Sequence, residues 1–204
     1  MFYEPAQGHG LPHDPAKAIV APRPIGWIST RSTSGALNLA PYSFFNMLSS
    51  RPFLVWFSSE GEKDSVTFAR ESGEFVVNLV SRELAAQMNA SSVDAPQGTS
   101  EFVHAGLTPE PSRMIAAPRV KEAHAALECK VTDIARPKGL DGRPSSATVV
   151  TGEVVGVFID EAMLTDGLFD VVKAGNVARL GYMDYLAVES VFQMRRPRWS
   201  DGKG

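Results

Sequence analysis

The sequence predicts a mainly β protein, a closed or partly closed antiparallel barrel carrying two or three small helices. Apolar residues gather in short runs or period-two alternations, such as Phe53–Ser59 and Leu127–Val131, instead of long helical stripes. Gly, Pro, Ser and Asn separate those runs at frequent intervals. Hydrophobic residues make up 44% of the chain and charged residues 21%, ordinary globular usage that excludes disorder and provides for a substantial core. Short strands in this pattern favour a barrel over a doubly wound parallel sheet.

The segment before Lys17 is rich in Gly, Pro and His and reads as an irregular arm, residues 1–16. Lys17 to Thr30 is a β-type run broken by Pro22 and Pro24. Each proline removes an amide donor, so this strand belongs at an edge or carries a bulge. Arg31 to Gly35 is a turn leading to a second strand near Leu37 to Ala40, which makes a hairpin. Residues 40–52 hold too much Pro, Ser and Asn to assign an element. Phe53 to Ser59 is a buried strand. Lys63 to Ser72 is a helix, with Asp64 as its N-cap and Gly73 as its stop.

Glu74 to Val80 follows as a strand, and Ser81 caps a helix with Leu84, Ala85 and Met88 on its apolar stripe. Residues 91–118 form a long irregular excursion with one short helix near Ser100 to His104, a length typical of lids, binding loops and dimer arms. Leu127, Cys129 and Val131 alternate with Glu128, Lys130 and Thr132, a strand with one wet face. Ala147 to Ile159 is a strand with Gly152 and Gly156 on one face, where it bends or is closely approached. Ala187 to Met194 is a last strand, and 195–204 a tail. The 204 residues are expected to form a single domain spanning 1–204.

A net charge of −3 and a pI near 5.8 argue against a nucleic-acid partner. One cysteine, Cys129, excludes an internal disulfide framework. Neither a secretory signal nor a membrane-spanning apolar stretch is visible, so a soluble cytoplasmic protein is expected. No Rossmann or P-loop fingerprint follows a strand, and no G-x-S-x-G elbow occurs. The histidines, His9, His13, His104 and His124, offer no helix-face metal pair, so no metal is expected. Cys129 lies on the apolar face of its strand, as a buried inert thiol would.

Three polar clusters sit at strand ends. They are Ser29-Thr30, the block from Asn38 to Asn46, and Ser58-Ser59 followed by Lys63-Asp64-Ser65. A helix start with free amides, hydroxyls and a lysine suits a phosphate, although a plain helix cap beside a surface lysine would read the same. The middle block is equally a ligand wall or a core-plugging loop. Together they suit a ligand with a flat polar ring, a hydroxylated chain and a phosphate, which describes FMN.

The strings RPIGWIST (23–30), GALNLAPYSFFN (35–46), KDSVTFARESGEFVVNLVS (63–81) and ARLGYMDY (178–185) resemble the flavin-reductase-like, FMN-binding split-barrel family. Within it, the likeness is to flavoredoxins and to reductase components of two-component flavin monooxygenases. That resemblance implies a six-stranded Greek-key split barrel in a homodimer, with FMN near the subunit interface. It implies that Ser29, Thr30, Asn38, Ala40, Pro41, Ser43, Phe45 and Asn46 line the ring and ribityl chain. Ser58, Lys63 and Ser65 would hold the phosphate, with Arg179 and Tyr185 as further contacts near the flavin.

Two positions depart from the family pattern. Tyr182 stands where the closing motif usually has a second glycine, adding bulk and removing ready access to positive φ. Phe158 stands where relatives often have His. The expected activity is NAD(P)H-dependent flavin reduction, with electrons passed on to a monooxygenase or another acceptor. An FMN electron carrier with no nicotinamide reaction of its own is the alternative. The flavin would carry the chemistry, so no catalytic side-chain pair is required. Arg23, between two prolines, meets either an anionic nicotinamide cofactor or a surface or dimer contact.

Overall fold

The computed structural model describes residues 1–93, 95 and 99–199. A one-turn helix, α1 (Ala16–Ile19), precedes strands β1 (Arg23–Pro24) and β2 (Gly26–Arg31). The chain continues through β3 (Leu37–Tyr42), β4 (Phe45–Ser50), β5 (Phe53–Glu60), α2 (Asp64–Ser72) and β6 (Glu74–Asn78). Two short helices, α3 (Ala85–Ala90) and α4 (Glu101–His104), lead to β7 (Pro109–Glu110) and β8 (Arg119–Val120). The long strands β9 (Ala125–Ala135) and β10 (Ala147–Ile159) follow, then β11 (Leu164–Thr165), β12 (Leu168–Phe169), β13 (Val177–Arg179) and β14 (Tyr185–Ala187).

The main sheet has seven strands, one more than expected, in the order β3-β2-β6-β9-β10-β5-β4 with antiparallel pairing throughout. β5 and β6 are consecutive in the chain yet flank the later hairpin β9–β10, which is Greek-key logic. The sheet curls until β3 approaches β5 without pairing to it, leaving a seam. The result is the split barrel expected from the sequence.

α2 packs across the concave face. Its Val66 and Ala69 are buried with Ile28, Val55, Phe57, Phe75, Cys129 and Val150. On the other face Trp27 and Leu39 pack against Met88 of α3, Phe102 of α4 and Val120 of β8. Of the 91–118 excursion, parts of which lie outside the described residues, the stretch 99–118 therefore braces the outside of the barrel. Its backbone is tied down by strand carboxylates: Glu128 accepts from the amides of Arg113 and Met114, and Glu74 from that of Ala116.

Several local expectations are corrected. Residues 16–19 are helical and pairing begins only at Arg23, because Pro22 and Pro24 confine the extended chain to a two-residue edge strand against β13. The 40–52 segment is mostly strand, since β4 pairs with β5 although it is polar and exposed along much of its length. Lys63, not Asp64, occupies the N-cap of α2, while Gly73 ends it at φ 71° as expected. Ser81 pairs by backbone with Asn176 instead of capping a helix, and α3 begins at Ala85. The final strand is Tyr185–Ala187, and most of 187–194 carries no regular structure.

Gly152 marks a register shift between β9 and β10, and the Phe75 ring fills the space its side chain would take. A Cβ there would lie 2.5 Å from Phe75 Cε1. Gly152→Ala is therefore expected to lower stability by about 1–3 kcal/mol through overpacking. A urea midpoint equal to that of the unaltered protein would contradict this packing.

Candidate functional site

At the seam, where β3 and β5 part and α2 begins, lies a cavity of about 440 Å³. Its position follows from strand alternation. Asn38, Ala40 and Tyr42 are alternate residues of β3, Ser58 and Ser59 end the buried part of β5, and Lys63 and Ser65 belong to the first turn of α2. Pro41, Ser43 and Phe44 continue the wall, and Lys17 reaches it from α1. Ala40, the smallest of these, leaves room for a ligand to approach the sheet.

A buried polar chain shapes the wall. Ser65 Oγ donates to Asn38 Oδ1 at 2.6 Å, and Asn38 Nδ2 donates to Glu101 Oε2 at 3.2 Å. The same carboxylate oxygen accepts from the amide of Leu39 at 3.0 Å. Glu101, on α4, thus fixes which way the Asn38 amide points. The hydroxyls of Tyr42 and Ser59 are buried too, and neither has a well-aligned hydrogen-bond partner, although Ser65 and Ser59 lie near the Tyr42 phenol. Burial pushes the Tyr42 phenol above its ordinary pKa, opposed by the nearby hydroxyls of Ser65 and Ser59 and by the charge of Lys63. Such orphaned groups normally cost stability and mark a place for a polar ligand.

Seven of the thirteen site residues expected from the sequence line this cavity: Asn38, Ala40, Pro41, Ser43, Ser58, Lys63 and Ser65. Ser29 and Thr30 do not. Ser29 Oγ is engaged inside the fold, donating to the carbonyl of Pro118 and accepting from Asn78 Nδ2. Thr30 is fully buried and its Oγ1 has no partner. Phe45 lines a separate apolar cavity of about 400 Å³, beside Ile25, Val77 and Leu127. Asn46 is exposed on β4, its Oδ1 accepting from the amide of Met47. Arg179 and Tyr185 face each other across β13–β14, the guanidinium 4.3 Å from the ring centroid.

Tyr42 and Ser59, which stand in the polar clusters read from the sequence but not among the expected ligand contacts, line the cavity as well, as do Glu101 and Lys17, which the sequence did not single out. Tyr42 was findable, since it shares the period-two face of Asn38 and Ala40. Glu101 was not, because it meets Asn38 across 63 positions of chain.

The closing motif also behaves differently from expectation. Tyr182 does adopt positive φ, 55°, in the place where a glycine would be unstrained. Its carbonyl accepts from Arg179 Nη2, and its ring meets that of His13 edge-on. Phe158 lies under the Arg119 guanidinium, 3.8 Å from ring centroid to Cζ. Arg23 is buried and donates to the carbonyls of Lys17, Val20 and Leu180, so it is a structural clamp. Cys129 is buried, and its surroundings push the thiol pKa far up, as an inert core thiol requires.

Comparison with known proteins decides the family. The flavin reductase like domain matches residues 20–175. The chain belongs to the flavin reductase-like family. An uncharacterized protein of Halalkalibacterium halodurans is 34% identical over 189 residues, covering 90% of each chain. A second, from Aquifex aeolicus, is 36% identical over 82% of this chain and 85% of its own. Among solved structures, nitrilotriacetate monooxygenase component B from Bacillus cereus superposes with a TM-score of 0.86 at 28% identity, covering 95% of this chain and 98% of that one. The 2-nitrobenzoate 2-nitroreductase of Pseudomonas fluorescens gives 0.80 at 28% identity, covering 93% and 92%. Flavoredoxin of Desulfovibrio vulgaris shares the fold, with a TM-score of 0.75 at 24% identity over 90% and 94% of the two chains. This family member is an oxidoreductase of the flavin reductase kind, with a flavin as its cofactor.

The cavity fits that cofactor. It joins a helix start, hydroxyl and ammonium donors and two orphaned hydroxyls in one continuous space. Its architecture depends on Glu101. Glu101→Ala removes the acceptor of both the Leu39 amide and the Asn38 side chain, and is expected to cost about 1–3 kcal/mol of stability. Chemical denaturation measures that loss, and an unchanged midpoint would show that Glu101 does not order the wall.

Proposed function

We propose that the seam cavity binds FMN and that the protein is an NAD(P)H-dependent flavin reductase. The observation that carries this reading is the gathering of the α2 N-terminus, Ser58, Lys63 and Ser65 at a cavity that also holds the buried hydroxyls of Tyr42 and Ser59. The leading amides of a helix have no intrahelical acceptor and carry partial positive charge, so the first turn of α2 supports a phosphate. Ser58 adds a hydroxyl donor and Lys63 a cation, while Ser65, whose hydroxyl is given to Asn38, offers its backbone amide. The Tyr42 and Ser59 hydroxyls suit the ribityl chain. Pro41, Ser43 and Phe44 offer a flat wall to the ring.

Bound there, FMN supplies the hydride and single-electron chemistry that no side-chain pair in the cavity provides. The protein's part is positional. Glu101 holds the Asn38 amide, Asn38 holds Ser65, and the strand backbone of β3 keeps the ring wall rigid. Among the described residues, three carboxylates (Glu60, Asp64, Glu101) and two lysines (Lys17, Lys63) line the cavity. That balance is a modest field for a phosphate dianion and supports an exchangeable flavin over one locked in place.

A homodimer completes this reading. β4 is an edge strand of the sheet, and its Met47 and Leu48 are 54% and 57% exposed. Exposed apolar edges of this kind are normally covered by another chain. Through such an assembly the reduced flavin would serve a monooxygenase or a similar acceptor. The cytoplasm, a reducing compartment, suits a chain whose one cysteine is a buried free thiol.

Anaerobic mixing of the FMN-loaded protein with NADH and, separately, NADPH tests the reductase claim. Bleaching of the oxidised flavin absorbance within seconds is expected with at least one donor. Persistent yellow colour with both, alongside confirmed FMN binding, would leave an electron carrier that takes its electrons from another protein.

A further inference from the structure

α1 is only four residues long, and a helix that short does not hold itself together in water. It is held from outside by two devices. Arg23, buried to 7% exposure, donates to the carbonyls of Lys17 and Val20 within and just after α1, and to that of Leu180 at 2.7 Å. Gly181, in the closing turn, lies so close to Ala18 that a Cβ there would overlap the alanine side chain. A buried arginine and a side-chain-free contact thus converge on one helical turn.

The residue this turn delivers to the seam cavity is Lys17. Its Nζ lies 5.9 Å from the Phe44 ring centroid, and Phe44 is itself part of the cavity wall. Lys63 reaches the same cavity from the N-cap of α2, among the groups assigned to the phosphate. Lys17 arrives from a different element, against the aromatic ring of Phe44. The two lysines therefore have different surroundings and different tasks.

We propose that Lys17 is the residue that tunes the flavin, its ammonium lying beside the ring and favouring the two-electron-reduced form, which carries negative charge at neutral pH. The inference rests on the proposed flavin site. A fixed cation stabilises the reduced ring more than the neutral oxidised ring, and so raises the reduction potential. Arg23 and Gly181 are positioning residues that act through Lys17. The closing motif, which does not line the cavity, contributes by bracing α1.

The experiment compares the unaltered protein with Lys17→Met, Lys17→Arg and Lys63→Met. Lys17 is exposed, so its replacement leaves folding intact. Two quantities are read: the midpoint potential of bound flavin by redox-dye equilibration, and the dissociation constants of oxidised FMN and of riboflavin, which lacks the phosphate. Lys17→Met is expected to weaken reduced-flavin binding on the order of tenfold relative to oxidised, a fall of about 30 mV for a two-electron couple. Both oxidised flavins should bind nearly as before, and Lys17→Arg should restore most of the potential. Lys63→Met should weaken FMN but not riboflavin and leave the potential unmoved. An unchanged potential in Lys17→Met would overturn the proposal. So would a loss of FMN affinity with riboflavin affinity retained, which would put Lys17 on the phosphate. If the unaltered protein binds neither flavin, the flavin site itself fails, an outcome distinct from both.

Discussion

A curled antiparallel sheet has a concave face that must be filled, and here α2 fills it. Val66 and Ala69 pack onto Phe57, Phe75 and Val150, an arrangement worth several kcal/mol of apolar burial. The consequence for function is geometric. Packing the body of α2 against the sheet fixes its start at the seam between β3 and β5, where Lys63, Asp64 and Ser65 line the open space. The phosphate end of the candidate site is thus a by-product of how the barrel is plugged.

The walls of the site depend on the outer layer. α4 packs Phe102 into the convex-side core and turns Glu101 back to the edge of β3, where it accepts from Asn38 and Leu39. The stretch 99–118 is therefore a brace for the cavity wall. At the other side, Arg23 and the closing turn hold α1 and with it Lys17. Two segments far apart in the chain, α1 and α4, each bring a residue to the cavity, and the closing turn braces the first of them.

Much of this was legible in the sequence where local physics decides structure. The continuous apolar run of Phe53–Ser59 became β5, and Gly73 stopped α2 with a left-handed turn that only glycine adopts freely. The block from Asn38 to Ser43 could be assigned to a ligand wall because it mixes small and hydrogen-bonding residues on one strand. What failed was decided by particular side-chain and backbone contacts and not by alternation of residue type. Lys17–Ile19 is apolar enough to read as strand, but is wound into a turn by Arg23 and Gly181. Phe45–Ser50 lacks alternation and pairs because β5 offers it an edge. Tyr182 accepts a left-handed backbone that its side chain disfavours, with its carbonyl held by Arg179. Hydrophobic periodicity does not announce such contacts, even where both partners lie a few residues apart.

The central claim is that the flavin occupies the seam with its phosphate at the start of α2. Crystals of the protein grown with FMN test it most directly. The account predicts density along Asn38–Phe44, with the phosphate within hydrogen-bond reach of Ser58, Lys63 and Ser65. Flavin density elsewhere, for instance in the apolar cavity beside Phe45, with the seam left to solvent, would contradict it.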